Sequence, residues 1–175
     1  MSSVATRTVC ILMRIHDSLS RFSFAIGVTA LGLIVVIFSY EVMMRYFFLA
    51  PVRWANDYVT FLLLIKVFCV LPMLTREAQH IAITLIPDML SEHNSDLIKR
   101  VGFIVAATAC LWTGYISLQE LMYLAERGTM TLTTIRVPKW ILIGFITYGI
   151  TSAGLYFLRL GILGQDITES EKNDA

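Results

Sequence analysis

Long apolar stretches alternate with short polar ones along this chain, and they set the first expectation about its fold. Four stretches are rich in Leu, Ile, Val and Phe, and they cover residues 22–44, 57–74, 101–124 and 138–163. A helix needs about 20 mostly apolar residues to cross the roughly 30 Å hydrocarbon core of a bilayer. The pattern therefore predicts an all-α integral membrane protein with four transmembrane helices in a single domain, residues 1–175.

The segment before the first apolar stretch has a different pattern. Between residues 8 and 21, apolar side chains recur at helical spacing and charged ones lie between them, the apolar set being Val9, Leu12, Ile15 and Leu19. This favours an N-terminal amphipathic helix lying in the membrane interface. A cleaved signal peptide is the competing interpretation, but the first long apolar run starts only after residue 21 and exceeds a signal's apolar region.

Composition agrees with a lipid environment. Of the 175 residues, 57% are hydrophobic and 15% are charged, whereas a soluble domain has about 45–50% and about 25%. The formal net charge of +1 offers no basic field for nucleic acid. The three cysteines are scattered without metal-ligand or disulfide spacing, so we interpret them as packing residues.

Orientation follows from the Lys and Arg residues of the short loops. The side that holds both termini and the middle loop carries eight, namely Arg7, Arg14, Arg21, Arg76, Lys99, Arg100, Arg159 and Lys172. The other side carries five, namely Arg45, Arg53, Arg127, Arg136 and Lys139. Both termini are therefore predicted to be cytoplasmic, and the polar tail 165–175 is predicted to be disordered.

Ionisable side chains within a span are expensive and are candidates for a site. Lys66 falls near the middle of the second span, and Glu41 and Glu120 lie about one turn from the outer ends of theirs. We expect Lys66 to reach one of these carboxylates as an ion pair inside the bundle. Such a pair would serve an ion or substrate path, or it would tie helices together or hold a partner subunit.

Other chemistry finds little support in the sequence. His16, His80 and His93 fall outside the predicted spans, so haem ligation between facing spans is not expected. No phosphate-binding loop, nucleophile elbow or zinc motif is present, and neither an enzyme activity nor a cofactor is predicted. The apolar middle loop, HIAITLIPDML, is predicted to lie along the cytoplasmic interface against lipid or a second protein.

Four short motifs resemble one family when they are taken together. Arg45, Tyr46 and Phe48 end the first span, and Trp54 and Asp57 open the second. Arg76 precedes His80 and Ile81, and Val137, Pro138 and Trp140 start the fourth span. In this order they resemble the small membrane subunit, the DctQ-like or Q subunit, of tripartite ATP-independent periplasmic (TRAP) transporters.

The resemblance implies an accessory subunit of a sodium-coupled secondary transporter for organic acids, located in the bacterial inner membrane. Its partners would be a large permease subunit, with which it forms a heterodimer, a periplasmic solute-binding protein, and membrane lipid. The small subunit would widen the scaffold of the large one and help to dock the binding protein. The docking candidates are the residues predicted on the periplasmic side: Arg45, Arg53, Trp54, Asp57, Arg127, Arg136 and Lys139.

Two other functions remain open from the sequence. A membrane anchor of a respiratory complex would have the same span number, and haem absorbance would distinguish it. A small transporter that works alone would be recognised by solute flux from this chain by itself, although its spans contain few polar groups at mid-depth.

Overall fold

The computed structural model describes residues 3–50, 52–77 and 92–163, which form four helices. They are α1 (Ser3–Phe47), α2 (Arg53–Glu77), α3 (Glu92–Arg127) and α4 (Lys139–Leu163). Each contains a stretch long and apolar enough to cross a membrane: Met13–Phe47, Arg53–Arg76, Arg100–Arg127 and Lys139–Ile162. The prediction of four helical spans is confirmed for the described residues. His80, the middle-loop segment HIAITLIPDML and the tail 165–175 lie outside them.

The amphipathic interfacial helix predicted over residues 8–21 is not confirmed. These residues belong to α1, which runs without a break from Ser3 to Phe47 over 45 residues. No proline precedes Pro51, so nothing in the sequence forces this helix to break. One side of the stretch from His16 to Ser23 faces the rest of the bundle, with Ser20 and Ser23 buried, while Leu19 and Phe22 on its other side are exposed.

The helices pack in the order α1, α2, α4, α3. Helix α1 packs on α2, α2 also packs on α4, and α4 packs on α3. We call the end of the bundle where α1 enters and α4 finishes the terminal end, and the end that holds the 48–52 and 128–138 connections the loop end. Because consecutive helices run in opposite directions, residues far apart in sequence meet at each end.

Small residues allow α1 to approach α2 closely. Gly27 and Ala30 are buried one turn apart on α1, and a Cβ atom at Gly27 would lie 2.5 Å from Cγ2 of Val70 and 3.3 Å from the carbonyl oxygen of Lys66. Van der Waals packing between close backbones is a main source of helix association in lipid. The same contact sets the register: Lys66 lies at the level of Gly27.

A second close approach joins α2 to α4 beside a helical proline. Pro72 is fully buried inside α2, and because it has no N–H it leaves the carbonyl of Phe68, four residues earlier, without its usual donor. A Cβ atom at Gly149 would lie 2.5 Å from that carbonyl oxygen. A Cα hydrogen of Gly149 therefore points at the Phe68 oxygen, as in a weak Cα–H···O contact.

Candidate functional site

Among the described residues, the ion pairs lie near the two ends of the bundle, and the first place is a cluster at the terminal end. Asp17 of α1 lies between two guanidinium groups: Nη2 of Arg76 on α2 is 3.8 Å from its Oδ2, and Nη1 of Arg159 on α4 is 3.7 Å from its Oδ1. All three side chains are about four-fifths buried or more. One carboxylate thus links three helices electrostatically.

Hydroxyl groups and an imidazole complete this arrangement. The Tyr156 hydroxyl donates to Oδ1 of Asp17 over 2.8 Å and lies 3.0 Å from Oγ of Ser20. Nε2 of His16 is 2.7 Å from Oγ of Ser152, and its ring lies 4.4 Å from that of Tyr156, centroid to centroid. We call these residues the Asp17 cluster: His16, Asp17, Ser20, Arg76, Ser152, Tyr156 and Arg159.

The Asp17 cluster holds α1 in place against α2 and α4. Buried polar groups stabilise a fold only when their hydrogen-bonding capacity is met, and here hydroxyls and cations surround the carboxylate. About one turn further along α1, Oγ of Ser23 accepts a hydrogen bond from the Tyr148 hydroxyl over 3.1 Å. The cluster therefore sets the position of the long first helix at this end of the bundle.

The second polar place is the loop end, where α3 and α4 are joined by residues 128–138. Gly128 follows α3 with φ of 59°, the left-handed conformation that glycine adopts readily after a helix. The loop then folds back on itself, since Thr131 N–H donates to the Val137 carbonyl and Lys139 N–H to the Thr129 carbonyl, each over 3.0 Å.

Thr131 stabilises the 128–138 loop from within, and Asp57 anchors it from outside. The Thr131 hydroxyl donates to the Ile135 carbonyl over 3.1 Å and accepts the Val137 N–H over 3.0 Å. Oδ2 of Asp57, in the first turns of α2, accepts the Ile135 N–H over 3.2 Å. The fold of the loop leaves Leu132 fully exposed, at 100% relative accessibility.

The docking candidates lie at the loop end, but they differ in their contacts. Arg53 and Arg136 are exposed and Lys139 is half-buried. Arg127 packs over the Tyr123 ring, 4.2 Å from its centroid, and Arg45 is paired with Glu41 one helical turn away. Asp57 is engaged by the loop.

Aromatic side chains line the remainder of this end. The Trp54 ring stacks on Tyr40 at 6.3 Å and meets the edge of Tyr58 at 5.6 Å. A shallow open pocket is bordered by Trp54, Tyr58, Ile37 and Ile135.

The other positions of the four family motifs differ in their surroundings. Tyr46 is 76% exposed and Trp140 is 43% exposed, while Pro138 forms an isolated β-bridge with Met130. Arg76 belongs to the Asp17 cluster.

Among the ion pairs of the described residues, none joins Lys66 to Glu41 or Glu120. Since Lys66 lies level with Gly27, Glu41 is about 14 residues further along α1, or roughly 21 Å at 1.5 Å per residue. That gap exceeds the combined reach of the two side chains, and Glu41 instead pairs with Arg45. Glu120 is exposed on α3, with α4 between it and α2. An ion pair of Lys66 with Glu120 stays a prediction.

The sequence interpretation missed the Asp17 cluster, although it contained a signal. Arg159 falls inside the predicted fourth span 138–163, and a cation within a span needs an acidic partner. Because residues 8–21 are predicted as an interfacial helix, Asp17 and His16 are not among the sequence candidates for contacts within the bundle. The 128–138 loop had a signal as well, because Thr and apolar residues alternate from Thr129 to Thr133, a strand-like pattern.

Comparison with known proteins places this arrangement in a family. Residues 34–163 match the family described as tripartite ATP-independent periplasmic transporters, DctQ component. No curated protein and no solved structure matches the chain. The match covers well over half of the 175 residues, so the chain belongs to the DctQ component family of TRAP transporters.

Membership in this family has three direct consequences. The DctQ component is the small permease subunit of a transporter and not an enzyme family. With four apolar helices, it indicates a multi-pass protein of the inner membrane. The match gives no support to the alternative of a respiratory anchor.

Proposed function

We propose that this chain is the scaffolding subunit of a sodium-coupled TRAP transporter for organic acids such as dicarboxylates or sugar acids. It binds a large permease subunit, which holds the substrate and ion sites, and it helps to dock a periplasmic binding protein. The family match over residues 34–163 is the observation that carries this proposal. Support also comes from the packing of the four apolar helices, whose ion pairs among the described residues lie near the two ends of the bundle.

The topology that we propose places both termini in the cytoplasm and the loop end in the periplasm. The excess of Lys and Arg on the side of the termini supports this orientation. A single cysteine at Leu132, in a variant without Cys10, Cys69 and Cys110, should react with a membrane-impermeant maleimide in intact spheroplasts. A matched cysteine at Ile162, 69% exposed near the terminal end, should react only after the membrane is opened. The reverse pattern would refute the orientation.

The docking role rests on the exposed side chains of the loop end. Arg53, Arg136 and Leu132 face outward there and have no part in the Asp57 contact. Charged rim residues mainly accelerate association, whereas exposed apolar residues are buried by it. Replacing Leu132 by Ser should therefore weaken binding of the solute-binding protein to the membrane subunits. The substitution leaves these subunits able to transport substrate that has already reached them.

Reconstitution tests the central proposal. Proteoliposomes that hold this chain alone should show no organic-acid flux, and those that hold it with the large permease should show flux when binding protein and a sodium gradient are supplied. Replacing sodium by potassium is the control for the coupling ion. Flux from this chain alone would favour a self-sufficient transporter, and recovery of the tagged chain from native membranes without a large permease would count against the scaffold.

A further inference from the structure

Helix α3 presents polar side chains away from the bundle. It packs mainly on α4, through a face on which Ala107 and Leu124 are buried. On the opposite face, at spacings of three and four residues, lie Trp112, Tyr115, Gln119 and Tyr123, which we call the α3 outer face. Their exposure is high: Trp112 is 67% exposed, Tyr115 57% and Tyr123 46%.

Two of these residues form a polar pair inside the span. Nε2 of Gln119 donates to the Tyr115 hydroxyl over 2.9 Å. The span Arg100–Arg127 is centred near residue 113, so Tyr115 lies about 2 Å and Gln119 about 8 Å from the midplane, well within a half-thickness of about 15 Å. Both groups therefore lie at the depth of lipid chains.

The Tyr115–Gln119 pair keeps unused hydrogen-bonding capacity. Its bond leaves the phenolic proton of Tyr115 and the carbonyl oxygen of Gln119 without a partner among the described residues. Lipid chains offer no partner, and polar groups exposed to them are unfavourable. By contrast, Thr108 and Thr113 on the same helix donate to the carbonyls of Ile104 and Ala109 within α3, so lipid suits them.

Helix α1 shows what a lipid-facing surface looks like in this chain. Its exposed residues include Val28, Leu31, Val35, Val36 and Phe38, all apolar. Its exposed Thr29 donates to the Ala25 carbonyl of its own helix. Val28 lies near the level of Tyr115, since Gly27 meets Lys66, Gly149 meets Phe68 and Gly114 meets Thr151. At that level the two surfaces differ in unmet hydrogen-bonding groups, and this difference distinguishes a protein contact from a lipid contact.

We infer that the α3 outer face is where the large permease subunit binds, through a transmembrane helix that carries a hydrogen-bonding side chain opposite Tyr115 and Gln119. This rests on the proposed function, which supplies the large permease as partner. The partner helix accepts the Tyr115 proton or donates to the Gln119 carbonyl, and Trp112 and Tyr123 pack around that contact. Helix α1 remains on the lipid side.

Photo-crosslinking tests the location. Benzoylphenylalanine is placed at Trp112 or, as the control on α1 near the same depth, at Val28, which is 50% exposed. Both variants are expressed with the large permease in native membranes. An adduct with the permease is expected from position 112 and not from position 28. An adduct from position 28 alone, or a product from position 112 at twice the mass of this 19.8 kDa chain, would overturn the inference.

A second measurement separates this inference from the proposed function. The double variant Tyr115→Phe, Gln119→Leu should lower recovery of the permease in a detergent titration by about threefold for each lost interhelical hydrogen bond. Thr108→Val, on the same helix, should leave recovery unchanged. Full recovery with the double variant would refute the α3 interface while the scaffold proposal stands. Failure of the unmodified chain to recover any permease would refute the scaffold proposal itself.

Discussion

Gly149 of α4 lies against the backbone of Phe68 on α2, at the carbonyl that Pro72 leaves without its usual donor. A Cβ atom at position 149 would come within 2.5 Å of that oxygen and 2.9 Å of the Phe68 Cβ. Neither neighbour is the flexible end of a side chain, so both resist displacement. Only glycine fits this contact without moving one helix.

Gly149→Ala is therefore expected to destabilise the bundle by roughly 1–3 kcal/mol, the usual effect of forced overpacking. The loss should appear as a lower midpoint of thermal or denaturant unfolding in detergent. Gly32→Ala is the matched control, since a Cβ there meets nothing within 4 Å, and it should be neutral or slightly stabilising because alanine favours helices. Equal stability of both variants would contradict the close contact.

Asp17→Asn should loosen the terminal end of the bundle. The substitution leaves Arg76 and Arg159 near each other without the carboxylate, and we expect a loss of roughly 1–3 kcal/mol, typical of buried bonds to charged groups. Hydrogen exchange of α1 backbone amides near residue 17 measures it directly. Glu126→Gln, an exposed position on α3, serves as the control.

A compensating variant makes the Asp17 prediction sharper. If charge balance within the cluster is what matters, adding Arg76→Met to Asp17→Asn should recover part of the lost stability, because a broken buried pair is worse than an apolar replacement. Identical stability with and without Arg76→Met would show that the cluster acts through packing alone.

Asp57→Ala should release the 128–138 loop, because the Ile135 N–H loses its acceptor. We expect faster hydrogen exchange at Ile135 and faster cleavage of the loop by added protease, with little change in the helices. Asn56→Ala changes the adjacent, exposed side chain and should leave the loop protected. Unchanged protection in Asp57→Ala would mean that the Thr131 bonds hold the loop without help.

Double-mutant cycles test the partners of Lys66. Because about 21 Å separates the levels of Lys66 and Glu41, Lys66→Met and Glu41→Gln should have additive effects on stability, within about 0.5 kcal/mol. The proposed pairing with Glu120 predicts a coupling energy above that limit for Lys66→Met and Glu120→Gln. Additivity in this second cycle would remove Glu120 as well.

Much of the architecture could be predicted because hydrophobicity acts locally. Four stretches such as 101–124 must become helices in lipid, since only a helix satisfies every backbone group within one segment. The prediction that residues 8–21 form an amphipathic helix in the interface is not confirmed, because helical spacing describes which side chains share a face and not what that face contacts. Asp17 and Ser20 share a side of α1 in both interpretations.

The sequence by itself determined the number of spans, the family motifs and the charges that each end of the bundle would carry. Tertiary structure decided the partners: Asp17 with Arg76 and Arg159, Asp57 with Ile135, and Glu41 with its neighbour Arg45. The physical reason is register. Burial depends on local composition, whereas a long-range pair requires two helices to be at the same level, and this level was set by glycine contacts such as Gly27 with Lys66 and Gly149 with Phe68.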